Sequence, residues 1–233
     1  MPLSDFDVSL RLTRTDSLSR TIAERTRRVY DRMAALYPVS SLLFHSRAHR
    51  CALRRSGIRD GMRVLEVATG SGEMFRRLVR ANPDGRTFGL DLSPKMAART
   101  QRHARAEFPR ARAHCEAVDV RHMPFRDGAF DVLICCYLLE LLSDDDIRLT
   151  VSEFRRVLRR DGVLTLVVIG EDRRLFNNLY KICGRLAPAF WGRQVERVVP
   201  QVLEANALRI VSEDSVRQWF YPSRVFTARK QDP

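Results

Sequence analysis

Lysine is almost missing. Of 41 basic residues in the 233-residue chain only Lys95, Lys181 and Lys230 are lysine, and the rest are arginine. Such a bias is what a GC-rich coding sequence produces without any polyanionic partner. The formal net charge of +13 is therefore thin support for nucleic-acid binding. Its distribution thins it further, because the excess lies in residues 1–120 and 181–233 while 121–180 is nearly neutral, with no concentrated basic stripe. No nucleic-acid partner is expected. Glycine and proline number only 11 and 10 and follow no period, which excludes collagen-like and low-complexity chains. The five cysteines form neither a Cys-x-x-Cys pair nor a Cys/His cluster at zinc spacing. No metal site is expected, and an odd count without a framework fits a reducing compartment. The longest apolar run, 130–142, contains Asp131 and Glu140 and is too short to span a bilayer. The N-terminus carries early acids and no long apolar stretch, unlike a secretory signal. The expected localisation is cytoplasmic.

What is present is an ordinary globular apolar fraction of 45%, enough for one domain with a small cap. Residues 1–18 read as a loose arm. An amphipathic helix follows over 19–36, is broken at Pro38, and is succeeded by a second over 42–55 that Ser40 or Ser41 caps and Gly57 ends. These make 1–56 an N-terminal arm and helical cap and 57–233 the main domain. There, strands at 63–68, 87–91, 113–118, 130–136 and 163–169 alternate with helices at 73–81, 94–107 and 144–159. Strands apolar on consecutive positions are buried on both faces, which predicts a Rossmann-like, doubly wound α/β sheet. The last third breaks the rhythm. A helical stretch over 173–197 is interrupted at Gly184 and Pro188, a further helix covers 195–205, and short strands at 207–211 and 225–228 would pair at one sheet edge.

Three carboxylates carry the chemistry. Val64-Leu65-Glu66-Val67-Ala68-Thr69-Gly70-Ser71-Gly72 is an apolar strand running through a small-residue turn into a helix, the pattern of a nucleotide-binding sheet's first βα turn. A tight turn without a ligand is the plainer reading. The dinucleotide fingerprint fails, since Phe75 stands where its third glycine belongs. A cofactor with an amino-acid moiety and no pyrophosphate fits better, with Glu66 meeting its ammonium directly or through water. Asp91 ends the next strand, where a carboxylate can accept from both ribose hydroxyls or simply cap the helix from Pro94. Asp119 ends the third, where it can accept from an adenine amino group while the Val120 amide donates to a ring nitrogen.

Together with Met123-Pro124-Phe125, Phe130-Asp131 and the stretch 153–162, these residues resemble the class I S-adenosylmethionine-dependent methyltransferases. Within that superfamily the chain is most similar to the ubiquinone/menaquinone biosynthesis C-methyltransferase group. The resemblance covers about 28–170 and weakens after Gly170. It implies a mostly parallel seven-stranded sheet with an antiparallel edge strand, and S-adenosyl-L-methionine as cofactor. Tyr30 matches the tyrosine of the group's N-terminal helix, which lies over the cofactor. Further contacts are implied at Glu66, Ala68, Gly70, Gly72 and Asp91, at Leu92 and Met96, and at Asp119, Val120 and Cys136. Two departures stand out: Ala68 replaces the family's first glycine, and Arg160-Asp161-Gly162 replaces its Pro-Gly-Gly.

No catalytic residue is assigned, because an activated methyl needs alignment more than a nucleophile. His45 and His49 share a helix face near the site, and Tyr137 follows the fourth strand; all three are substrate-side candidates that could equally be packing residues. Within 173–205, Leu175, Leu179, Ile182 and Leu186 form an apolar face ringed by arginines, which suits a lid over a lipophilic acceptor, an interfacial helix on anionic lipid, or plain core packing. The expected reaction is methyl transfer to a small lipophilic or lipid acceptor such as a quinone precursor, with peripheral membrane contact. The alternatives are phospholipid N-methylation and, from another class, an NAD(P)-dependent oxidoreductase, for which a Tyr-x-x-x-Lys pair is lacking.

Overall fold

Strands with apolar residues at successive positions need cover on both sides, since neighbouring side chains leave opposite faces. The protein meets that demand with helices on either side of one sheet, seen in a computed structural model that describes residues 37–171, 193–218 and 221–231. Helix α1 (Tyr37–Arg55) leads into β1 (Arg63–Val67), α2 (Glu73–Ala81), β2 (Arg86–Asp91), α3 (Pro94–Glu107) and β3 (Arg112–Ala117). Then follow β4 (Phe130–Cys136), α4 (Asp144–Val157), β5 (Leu158–Ile169), α5 (Val199–Ala205), β6 (Leu208–Arg217) and β7 (Pro222–Lys230). The sheet order is β3-β2-β1-β4-β5-β7-β6. β1 to β5 run parallel, and β7 is antiparallel to both β5 and β6. This is the architecture expected from the sequence.

Successive strand residues divide between two cores. Leu65, Leu133, Leu164 and Phe226 face Ile147, Val151 and Phe154 of α4 and Leu203 of α5. Val64, Val132, Val167 and Val225 face Ala48 and Ala52 of α1 with Met74 and Leu78 of α2. At the sheet's N-terminal edge Asp131 accepts from the Arg63 amide at 2.7 Å and from the Arg159 guanidinium at 2.5 Å. It is a structural anchor at the start of β4.

Several boundaries differ from the sequence reading. Pro38 lies inside the first turn of α1, where its missing N–H costs nothing. Helix α4 stops at Val157, because Leu158 pairs with Phe130 before the ladder shifts register and resumes at Val163. Residues 195–198 form a turn, and α5 starts only at Val199, with a proline in its opening turn. β6 and β7 extend to 208–217 and 222–230, because the two pair with each other along their length. In β6 the register slips between Ile210 and Ser212, leaving Val211 as the extra residue of a bulge. Of the helical stretch expected over 173–197, residues 193–197 are not helical, and 173–192 lie outside the described residues.

Phe154 is fully buried between α4 and the sheet. Phe154→Ala is expected to lower the unfolding free energy in urea by about 3–5 kcal/mol.

Candidate functional site

The chain runs outward from β1 to β2 and β3, then returns to place β4 on the other side of β1. At such a reversal the loops leaving the strands' carboxyl ends part and open a crevice. The turn after β1 forms one wall. Ala68, Gly70 and Gly72 have φ of 61°, 50° and 79°, left-handed values that glycine adopts freely and alanine only at a cost. Gly72 is also cramped, since a side-chain carbon there would stand 2.7 Å from the Thr100 hydroxyl of α3. At Gly70 the same position is open.

Asp91 ties this turn to β2. One carboxylate oxygen accepts from the Gly70 amide at 2.8 Å and the other from the Ser93 amide at 2.9 Å. Two further backbone bonds, Thr69 N–H to Leu90 O and Val118 N–H to Asp91 O, stitch the first three loops together. The helix capping that competed with the ribose reading is done by the Ser93 hydroxyl, which accepts from the Met96 amide at 3.2 Å. Both Asp91 oxygens are thus engaged by backbone amides of the two turns. Met96 is buried and Leu92 half-buried beside it.

Glu66 is 2% exposed, and its Oε2 is buried with no hydrogen-bond partner. Burial foremost, then the charges of Asp91 and Glu73, push its carboxyl well above the usual range. Glu73, first residue of α2, also carries a buried Oε2 without a hydrogen bond, while its Oε1 accepts from Arg77 at 2.7 Å. The turn is thus flanked by three carboxylates. An orphaned buried carboxylate oxygen fits a ligand ammonium, and the left-handed turn lets a ligand approach the backbone closely. These residues suit a cationic amino-acid cofactor.

Asp119 lies past β3, with its side chain one-third exposed, and Val120 packs under it in the core. Burial raises the Asp119 carboxyl, but the hydrogen bonds from Arg121 outweigh it and hold the group below its ordinary value. Cys136 at the end of β4 is half-buried, and burial pushes its thiol well up.

The substrate-side candidates divide. Tyr137 has φ of 56°, and its hydroxyl engages Ser223 Oγ at 2.9 Å and the Gln218 amide at 3.0 Å. Burial pushes its phenol far above the ordinary value, so it serves as a neutral hydrogen-bonding group. His49, 5% exposed, is 6.3 Å from the Tyr137 ring centroid and 4.0 Å from Glu73 Oε2. His45 is placed only by its backbone, on α1, and Tyr30 lies outside the described residues. Among those residues no group of three His, Cys, Asp or Glu could hold a metal.

Sequence reasoning missed Glu73, Arg121 and Glu140. Glu140 was visible as an acid inside the apolar run 130–142. It is 4% exposed; its Oε1 accepts from the Ile169 amide at 2.7 Å, and its Oε2 has no hydrogen-bond partner. Burial raises its carboxyl to about 7. The folded chain therefore holds this proton more tightly than the unfolded one. The stability it contributes is complete below the ordinary glutamate value and fades as pH rises through about 7. Between pH 4 and 8 the wild type is expected to lose about 3 kcal/mol relative to Glu140→Gln in urea titrations. Parallel pH profiles would refute this.

Residues 64–162 match a family model described as a methyltransferase domain. The chain is 32% identical over 158 residues to the malonyl-[acyl-carrier protein] O-methyltransferase of Laribacter hongkongensis. That match covers 65% of this chain and 52% of the relative, so the chain spans about half of that relative's length. It is 25% identical over 179 residues to the ubiquinone/menaquinone biosynthesis C-methyltransferase UbiE of Citrifermentans bemidjiense, covering 72% of this chain and 75% of that one. Among solved structures, the N-methyltransferase NodS of Bradyrhizobium japonicum WM9 in complex with S-adenosyl-l-homocysteine shares the fold with a TM-score of 0.70. That likeness covers 89% of this chain and 99% of the other at 18% identity. The matched stretch runs from β1 into β5 and includes Glu66, Asp91 and Asp119, so 64–162 is a methyltransferase domain and the chain is similar to the class I S-adenosylmethionine-dependent methyltransferases.

Proposed function

We propose that the protein transfers a methyl group from S-adenosylmethionine to a small, lipophilic acceptor of the quinone-precursor type. The observation that carries the cofactor half is the cluster of Glu66, Glu73 and Asp91 around a left-handed glycine turn in a chain of net charge +13. A basic protein that gathers buried acids at one sheet edge is suited to a cationic ligand. When bound, the cofactor supplies a methyl group activated by a sulfonium. In this assignment Glu66 Oε2 receives the ammonium, and the 68–72 turn makes room for the amino-acid end. Asp91 accepts from the ribose hydroxyls, and Asp119 with the Val120 amide reads the adenine. Leu92, Met96 and Cys136 are assigned to the walls, and Tyr30 is assigned to the cofactor by the resemblance alone.

The acceptor side is assigned to Tyr137, His49 and His45. Tyr137 stacks edge-on against Tyr221 at 6.1 Å, and its hydroxyl is held by Ser223 and Gln218. An aromatic rim with anchored hydroxyls suits a flat ring carrying oxygens. The quinone reading also draws on the UbiE relative, whose match spans a larger share of both chains than the carrier-protein enzyme's does. Higher identity to the malonyl-[acyl-carrier protein] O-methyltransferase supports a second reading, O-methylation of an acyl chain on a carrier protein. Phospholipid N-methylation remains the alternative for an amine acceptor.

The proposed division is an arm and cap over 1–56 and a catalytic domain over 57–233, with 173–205 as an insertion in it. No described helix is long and apolar enough to cross a membrane, so contact with a lipid-borne acceptor would be peripheral. The buried free thiols of Cys51, Cys115 and Cys135 fit a cytoplasmic setting.

Calorimetric titration is expected to show binding of S-adenosylmethionine and S-adenosylhomocysteine and none of NAD. Asp91→Ala should raise the dissociation constant for S-adenosylhomocysteine about tenfold to a hundredfold while the protein stays folded. Binding of NAD alone would overturn the reading. Methyl-transfer assays with quinols, acyl-carrier substrates and phospholipids decide the acceptor.

A further inference from the structure

Arg121 is only 7% exposed, an unusual place for the most polar of side chains. It follows Asp119 by two residues and turns back on it. Its Nε lies 3.0 and 3.2 Å from the two Asp119 oxygens, and its Nη2 lies 2.6 Å from Oδ2. The Arg121 amide adds a third donor at 3.1 Å from Oδ1. The remaining guanidinium nitrogen, Nη1, donates to Asp146 Oδ1 at 2.8 Å.

Asp146 is itself fixed. It belongs to the first turn of α4, its Oδ2 accepts from the Ser143 hydroxyl at 2.9 Å, and its amide donates back to Ser143 Oγ at 3.1 Å. The result is a chain of charge-assisted bonds running from the capped end of a core helix, through a buried fork, to one loop carboxylate. The two ends differ. Asp146 keeps 11% of its side chain exposed and Asp119 keeps 34%. The clamp is rigid at the helix and open at Asp119.

A guanidinium fork occupies one edge of a carboxylate and leaves the remaining lone pairs in place. It also fixes the plane of the group, which a free aspartate would rotate. We infer that Arg121 is a positioning residue for purine recognition: it presents Asp119 as an oriented, acceptor-only carboxylate and so makes the site select a 6-amino purine over a 6-oxo purine. This rests on the assignment of Asp119 to the adenine amino group. An exocyclic amine donates to the presented oxygen. A 6-oxo group would bring a second acceptor against it and leave both unpaired, the arrangement that discriminates most strongly between polar ligands.

The test is calorimetric binding of S-adenosylhomocysteine and of S-inosylhomocysteine, its 6-oxo counterpart, to the full-length wild type and to three variants. The wild type should prefer the adenine compound by about a hundredfold. Arg121→Met should weaken S-adenosylhomocysteine by about tenfold or more, change the inosine compound less, and so collapse the preference. Arg121→Lys should restore part of it, because a single ammonium can pair with Asp119 without fixing its plane. Asp146→Asn loosens only the far anchor; it should reduce the preference about threefold and gives the readout should Arg121→Met fail to fold. Full wild-type discrimination in either Arg121→Met or Asp146→Asn, or a wild type that binds both compounds equally, would overturn the inference. A wild type that binds neither compound would instead remove the cofactor reading beneath it.

Discussion

Glu66 is a carboxylate enclosed in a sheet that is covered on both faces, and its desolvation is the constraint on which the site is built. An ionised group so placed costs several kcal/mol unless something compensates. Here the neighbours make matters worse, since Asp91 and Glu73 add like charge. A ligand that brings positive charge to the turn relieves all three at once. In the proposed complex, relief of that penalty would contribute to the affinity for a cationic ligand.

The arginine surplus reads differently once its geometry is seen. Part of it does structural work at the loops. Arg156, projecting from α4, donates to the carbonyls of Phe125 at 2.5 Å and Met123 at 2.9 Å and forks onto Glu153. Glu153 in turn accepts from the Met123 amide at 2.7 Å. The 123–125 loop, which carries no regular hydrogen bonding of its own, is thus held by a helix two elements away. Arg193 does the same at the other end of α4, donating to Leu142 O at 2.9 Å and to Asp144 at 2.6 Å. A planar five-donor head can fork onto a carboxylate and still reach carbonyls alongside, a bidentate geometry that lysine's ammonium lacks.

The sheet was legible because its strands are short apolar runs with acids at their ends, a local pattern with a direct physical cause. Glu66, Asp91 and Asp119 could be placed at or just past the carboxyl ends of three strands from the apolar runs before them and the turn residues after them. The boundaries that shifted are those set by partners distant in sequence. Leu158 becomes strand because Phe130 lies beside it, and the full length of β6 emerges only from its pairing with β7. Arg121 and Glu140 were illegible for a related reason. An arginine two residues from an acid, or an acid in an apolar run, acquires meaning only when Asp146 or the Ile169 amide is brought to it. Tyr137 could be read only as a substrate-side or packing residue, and its hydroxyl's partner Ser223 comes from the start of β7.

β6 closes the described sheet on one side, and an outer strand of ten residues is a template on which another molecule's strand can grow. Its bulge at Val211 interrupts the row of amides and carbonyls and increases the local twist. Arg209, Glu213, Asp214 and Arg217 line the same strand with charges of both signs, so a second copy sliding alongside would meet an irregular ladder and mismatched ions. The bulge that breaks the register of one hairpin thus also disfavours edge-to-edge pairing along this long antiparallel margin.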